Sequence, residues 1–304
     1  MSYLEDLTLR LAAGLERIPE QWRERHAAFF KSRQQADGGF AGREGGSDLY
    51  YTGFAARGLA LTGTLDGEVA ERIGAYLKSR LTSQAPIVDF LSLIYAGMLL
   101  ELSAGIEVFS GCADNWRSSV AATLEEFRRD DGGYAKGPEG VKSSTYHSFL
   151  VLLCHELIGV ELPQPDRLVE FILSQQRDDG GFVEIAPMSR SGTNPTAAAV
   201  GTLKILGALN AEVRETAADF LAEMQTDEGG IRANTRIPIA DLLSTFTGLL
   251  TLQDLDAADM VDVPEIRKYA ESLQHDDGGS QAAVWDEGCD VEYTFYGLGT
   301  LALA

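Results

Sequence analysis

Two kinds of apolar stretch alternate along the chain. In the first, apolar residues recur every three or four positions, as at Leu168, Phe171 and Ile172 in DRLVEFILSQQ (166–176), with Gln175 on the same face. Val213, Ala217, Phe220, Leu221 and Met224 repeat the pattern in EVRETAADFLAEM (212–224). This is the spacing of a helix with one buried stripe and one wet face. The second kind is rich in small residues and nearly uncharged: NPTAAAVGTLKILGAL (194–209), DLLSTFTGLLTLQDL (241–255) and EYTFYGLGTLALA (292–304). These read as helices buried on most sides. The alternation predicts helix pairs, one amphipathic and one enclosed.

What separates the partners of a pair is nearly the same each time. RQQADGGF (33–40), RRDDGGYA (128–135), SQQRDDGGF (174–182), MQTDEGGI (224–231) and LQHDDGGS (273–280) follow the amphipathic segments. Their first glycines, Gly38, Gly132, Gly180, Gly229 and Gly278, stand 94, 48, 49 and 49 residues apart. The first interval is close to two periods, so an eroded copy falls near residue 85, in LKSRLTSQAPIVDFLSLIYA. Six repeats of about 48 residues result. They predict an all-α (α/α)6 barrel, with six inner helices inside six outer ones and an extra helix over 3–17. One domain, 1–304, then comprises an N-terminal helical extension (1–20) and six helical hairpins (21–304). An open HEAT-like solenoid has a similar period. Closure is preferred because the inner helices are too apolar to line an exposed concave face, and because the chain ends with the sixth inner helix. Asp37, Asp131, Asp179, Glu228 and Asp277 fit a turn better than a cation loop. Two carboxylates before an apolar residue are too few oxygens for calcium, whereas Gly ends a helix and Asp bonds turn amides.

Charge narrows the partners. With 46 acidic and 25 basic residues the net charge is −21, which argues against nucleic acid and anionic membrane surfaces. Cys112, Cys154 and Cys289 have no C-x-x-C spacing and indicate neither a disulfide framework nor a zinc ribbon. The charged N-terminus lacks an apolar leader, and no run approaches the roughly 20 apolar residues of a membrane span, so no membrane insertion is expected. A cytoplasmic location is the expectation.

Q-x-x-D-G-G-F at this period, followed by a helix opening on a small hydroxyl residue, resembles the repeat of protein prenyltransferase β-subunits and of triterpene cyclases such as squalene-hopene cyclase. The likeness covers the chain after residue 20. It implies an α-α toroid with an apolar cavity for an isoprenoid, and polar chemistry near the N-termini of the inner helices. Aligning each inner helix on a hydroxyl followed seven residues later by an aliphatic residue pairs Thr52 with Leu59, Ser92 with Leu99 and Thr145 with Leu152. The later repeats give Thr196 with Leu203, Thr245 with Leu252 and Thr294 with Leu301. In the prenyltransferases zinc is held by an Asp and a Cys four and two positions before one such hydroxyl, and by a His just before the last. Here Gly192, Asn194 and Tyr293 stand at those places. No zinc cofactor is therefore expected, and magnesium has no supporting donor set. The cyclases place an acid in D-x-D-D-T, and the nearest match is Asp290-Val291-Glu292-Tyr293-Thr294.

The catalytic candidates are thus Asp290, Glu292 and Tyr293. Asp48, Asp241 and Asp290 share one position, four before the hydroxyl, where they either cap the helices or hold a ligand. Tyr50, Tyr51, Phe295 and Tyr296 would wall an apolar ligand or stabilise a carbocation. His147 is either a hydrogen-bonded core residue or a ligand or base. Arg190 and Arg236, with Arg43, Lys136, Lys142 and Arg232, lie in the loops and could grip a diphosphate. Three functions follow. The first is an isoprenoid-binding enzyme of non-zinc mechanism; the second is an inactive toroid holding a lipid or protein partner. The third is a β-subunit-like chain with a divergent metal site and a helical partner subunit.

Overall fold

The computed structural model describes residues 2–81 and 85–304. Thirteen α-helices carry the fold among them. An N-terminal helix, α1 (Tyr3–Leu15), precedes six pairs. These are α2 (Glu20–Ser32) with α3 (Leu49–Leu61), α4 (Gly67–Ser79) with α5 (Ile87–Ala104), and α6 (Trp116–Glu125) with α7 (Thr145–Ile158). The remainder are α8 (Pro165–Ser174) with α9 (Thr193–Ile205), α10 (Ala211–Ala222) with α11 (Leu242–Asp254), and α12 (Val263–Ser272) with α13 (Val291–Leu303). The eroded second turn lies partly outside the described residues, at 82–84. Two compact units are formed, residues 2–120 with 270–304, and residues 121–269.

In the first unit α3 packs against α5 and α13, and α1 lies on α13 so closely that a Cβ at Gly14 would sit 2.0 Å from the Ala302 carbonyl oxygen. α5 is long and apolar enough to cross a membrane by length and composition, with a mean hydropathy of 1.7, contrary to the reading that no run comes near a span. Most of it is buried within the protein, because its apolar residues are used in packing against α3 and α4. In the second unit α9 packs between α7 and α11, with α8 and α10 outside it. The stripes read from sequence are the buried ones: Leu168, Phe171, Ile172 and Gln175 in and just after α8, and Val213, Ala217, Phe220, Leu221 and Met224 in and just after α10.

Each turn does the same local work. Gly38, Gly132, Gly180, Gly229 and Gly278 all have φ between 84° and 92°, a region open to glycine at little cost. The Asp before the pair accepts from the second glycine's amide: Asp37, Asp131 and Asp179 at 3.1 Å and Asp277 at 3.0 Å. Glu228 is too long for this bond and instead accepts from the Ala240 amide at 2.9 Å. A Cβ on the first glycine would strike the next amphipathic helix: Arg72 from Gly38, Arg167 from Gly132, Thr216 from Gly180, and Glu265 from Gly229. From Gly278, in the last repeat, it would strike Arg25 of α2, the outer helix of the first. After the glycine-pair turns the chain pairs briefly with itself, and among the described residues this gives two small ribbons, Tyr134–Ala135 with Ser143–Ser144 and Ser280–Gln281 with Cys289–Asp290.

The inner-helix hydroxyl has a structural task. Its oxygen accepts the amide of the residue that follows the second glycine, from Phe40 to Thr52, Phe182 to Thr196, Ile231 to Thr245 and Ser280 to Thr294. In the third repeat the acceptor for Tyr134 is Ser148, at 2.9 Å, and the expected Thr145 is displaced from that place by three residues. Thr145 instead opens its helix and donates to the Val183 carbonyl, as Thr193 donates to Arg232. His147 therefore stands immediately before the structural hydroxyl.

Candidate functional site

The N-cap lies four residues before each structural hydroxyl, because the hydroxyl also donates back one helical turn to the cap carbonyl, as Thr294 does to Asp290. Asp48, Asp241 and Asp290 cap α3, α11 and α13, accepting from the amides of Tyr51 (2.8 Å), Ser244 (2.7 Å) and Tyr293 (2.9 Å). Burial raises the carboxyls of Asp48 and Asp241 above the usual range, and the amide bonds work against it.

The first unit gathers most of the candidates at the N-terminal ends of α3 and α13. Tyr50 Oη donates to Glu292 Oε1 at 2.6 Å. Burial pushes the Glu292 carboxyl upward and the charge of Asp290 adds to the effect, while the Tyr50 bond and the cations Arg57 and Arg43 oppose it. Around this carboxyl the rings meet edge to face. Tyr50 lies 5.3 Å from Tyr51 and 4.9 Å from Phe54, and Phe54 lies 5.5 Å from Phe295 and 5.2 Å from Tyr296. Tyr293 closes the group 6.2 Å from Tyr296. The ring faces carry negative potential and suit a cation held above them.

Arg43 is not a free cation for a diphosphate. Its guanidinium holds both carboxylate oxygens of Asp286, at 2.7 and 2.6 Å, and Asp290 Oδ2 at 2.9 Å, over the Tyr293 ring. The hydrogen bonds from Arg43 keep the Asp286 carboxyl down at about 2. Gly288 makes room for this clamp, since a Cβ there would come 2.8 Å from Arg43 Nη1.

Arg57, inside α3, was missed by a sequence reading that sought chemistry in the loops. Its guanidinium carbon lies 4.4 Å from the centre of the Phe54 ring, 5.4 Å from Tyr95 and 5.6 Å from Phe295. Its Nε is buried without a hydrogen-bond partner. A cation in an otherwise apolar helix was the available signal. Tyr95 also borders an apolar cleft of about 400 Å³ with Leu9, Met98, Leu99 and Leu102.

The second unit holds the other candidates, which are not gathered to the same degree. Arg190 is exposed and donates to Thr235, next to the exposed Arg236. His147 Nδ1 lies 2.8 Å from the Ser144 hydroxyl at the start of α7, and that hydroxyl donates to Glu184.

The zinc positions offer no donor set. Gly192 has no side chain, and Asn194 Oδ1 accepts from the Thr247 hydroxyl at 2.7 Å. Tyr293 is a phenol beneath Arg43. Among the described residues no group of three or more His, Cys, Asp or Glu side chains is placed to hold a metal ion.

The chain matches the family model described as the prenyltransferase alpha-alpha toroid domain, over residues 103–236 and 199–304. These segments span more than half of the chain, and the protein belongs to that family. Its solved neighbours show the same toroid. Protein geranylgeranyltransferase-I of Candida albicans, complexed with GGPP, superposes with a TM-score of 0.74 at 15% identity, covering 92% of this chain and 90% of that one. The type II terpene cyclase MstE of Scytonema gives 0.64 at 14% identity, covering 97% and 98%. A protein from Actinoplanes gives 0.61 at 16% identity, covering 94% and 98%. A comparison with curated proteins gives no match.

Proposed function

We propose that the protein binds an isoprenoid chain against the aromatic wall of α3 and α13 and that Glu292 delivers a proton to it, a terpene-cyclase-like reaction without zinc. One observation carries this reading: a carboxyl with raised proton affinity, positioned by Tyr50, stands among rings able to stabilise a carbocation. An alkene is a weak base, so the donor must keep its proton until the substrate arrives, and burial favours the protonated form. Glu292 gives up its proton as the new C–H bond forms; the positive charge passes to carbon beside the Tyr50 and Tyr296 rings, the faces of Phe54 and Phe295 being held by Arg57, until an adjacent C–H loses its proton to water. Asp290, which accepts from Arg43 and from the Tyr293 amide, serves as cap and clamp rather than acid. Two of the similar structures support the isoprenoid class by what their titles name: GGPP with the Candida albicans enzyme, and geranylgeranyl dihydroxybenzoate, given as substrate, with the Scytonema cyclase. The occupation of Arg43 turns the reading away from a diphosphate clamp in this unit.

The test is incubation with geranylgeraniol and geranylgeranyl dihydroxybenzoate in D2O, with products analysed by mass spectrometry. Cyclised product carrying one solvent deuterium is expected, and E292Q should abolish it while leaving substrate binding within about threefold. Deuterated product from E292Q would remove Glu292 from the reaction. Saturable binding without any product would instead support the inactive, lipid-holding toroid.

A further inference from the structure

In the second unit Ser144, His147 and Glu184 form a chain of hydrogen bonds that helix capping alone does not require. Ser144 is the N-cap of α7, accepting the His147 amide at 3.0 Å. Its hydroxyl also donates to Glu184 Oε1, and its oxygen lies 2.8 Å from His147 Nδ1. A serine hydroxyl has one proton and two lone pairs. With the proton given to Glu184 and one lone pair to the backbone amide, the remaining lone pair can only accept. Nδ1 must therefore carry the imidazole proton, and Nε2 is left with a bare lone pair. Among the described residues Nε2 makes no hydrogen bond, and it is not one of the fully buried unpaired atoms, so it is not completely enclosed. The Tyr146 ring stands edge-on to the imidazole, 5.4 Å away, and is itself exposed.

We propose that His147 Nε2 is a hydrogen-bond-accepting site for a hydroxyl-bearing ligand, of which a phenol is the simplest form, with Tyr146 as the adjoining apolar surface. The Ser144 and Glu184 chain sets the tautomer and makes the site an acceptor rather than a donor. The groups facing the imidazole agree. Burial, helped by the positive charge of Lys136, holds His147 down at about 4, so the ring stays neutral where an ordinary histidine would be charged. Glu184 also takes the Tyr146 amide and is itself raised by burial. The cation nearby favours a donor whose oxygen gains negative character as its O–H bond polarises. The inference does not depend on Glu292.

Long-range proton–nitrogen correlation spectra of the 15N-labelled protein test it directly. At pH 7 His147 should show a protonated Nδ1 and an unprotonated Nε2, unchanged on acidification to about pH 5. Phenol should move the Nε2 resonance saturably and bind about three- to tenfold tighter than benzene, the worth of one neutral hydrogen bond. H147F should erase that preference. A protonated Nε2 in the native protein, titration of the ring near 6.5, or equal binding of phenol and benzene would each overturn the proposal.

Discussion

The turn glycines give a pair of substitutions that separates backbone strain from packing. Gly180 and Gly45 have nearly the same conformation, with φ of 84° and 88°. Gly45 has open space around it, whereas a Cβ at Gly180 would lie 2.3 Å from the Thr216 carbonyl oxygen and 2.8 Å from the carbonyl carbon. Gly45→Ala should therefore cost only the left-handed conformation, about 1–2 kcal/mol. Gly180→Ala carries the same cost and must also push the backbone of α10 away by roughly 1 Å, since carbon and oxygen do not approach within about 3 Å. Overpacking of this kind adds about 1–3 kcal/mol, and here the obstacle is main chain and cannot rotate aside. The expected total is about 2–5 kcal/mol. Thermal unfolding followed by circular dichroism reads the difference at roughly 2–4 °C per kcal/mol. Gly180→Ala should melt several degrees below Gly45→Ala. Equal melting points would refute the claim that the glycine pairs are kept free of side chains for contact with the next outer helix.

Thr245→Val keeps shape but strips the acceptor from the buried Ile231 amide, bonded at 2.9 Å, and should cost about 1–3 kcal/mol in urea unfolding. Arg43→Met should raise the pH of acid unfolding. The folded pKa of Asp286 is depressed to about 2 from 3.8, so its contribution is present above 3.8, fades as pH falls towards 2, and largely vanishes without the guanidinium. Tyr50→Phe removes the hydrogen bond that lowers Glu292, so the carboxyl should titrate at higher pH by carbon NMR of labelled glutamate, and a downward shift would contradict the assignment. His147 has the opposite sign to a histidine in an ion pair. The unfolded chain takes up its proton near 6.5 and the folded protein only near 4, so stability falls with pH across that interval, and less steeply in His147→Gln.

Much of the repeat was legible because the glycine-pair turns share a glycine at positive φ and a preceding helix with one apolar stripe, and four of the five have an Asp that accepts from the second glycine's amide. These features are local and leave a spaced signature. The third inner helix was misaligned because α7 begins with three hydroxyls in five residues, Ser144, Thr145 and Ser148, and an aliphatic partner seven residues on selected Thr145. Distance from the first glycine decides the matter. Thr196, Thr245 and Thr294 each lie 16 residues beyond it, and so does Ser148 from Gly132. Arg43 misled for a different reason. Loop cations look available in sequence, and its partners Asp286 and Asp290 are more than 240 residues away.

Corrected alignment also shows where chemistry is free to vary. Four before the hydroxyl, the chain needs a cap, and at the hydroxyl it needs an acceptor for the turn amide; both positions are committed to the fold. The two positions between them nearest the hydroxyl have neither task. Two before it stand Tyr50, Tyr146, Asn194, Leu243 and Glu292, and one before it stand Tyr51, His147, Pro195, Ser244 and Tyr293. One framework thus offers a carboxylic acid at one helix end and a neutral imidazole at another without altering a backbone hydrogen bond. Exchanging residues at these positions should change ligand preference with little effect on stability, whereas exchange at the cap or the hydroxyl should do the reverse.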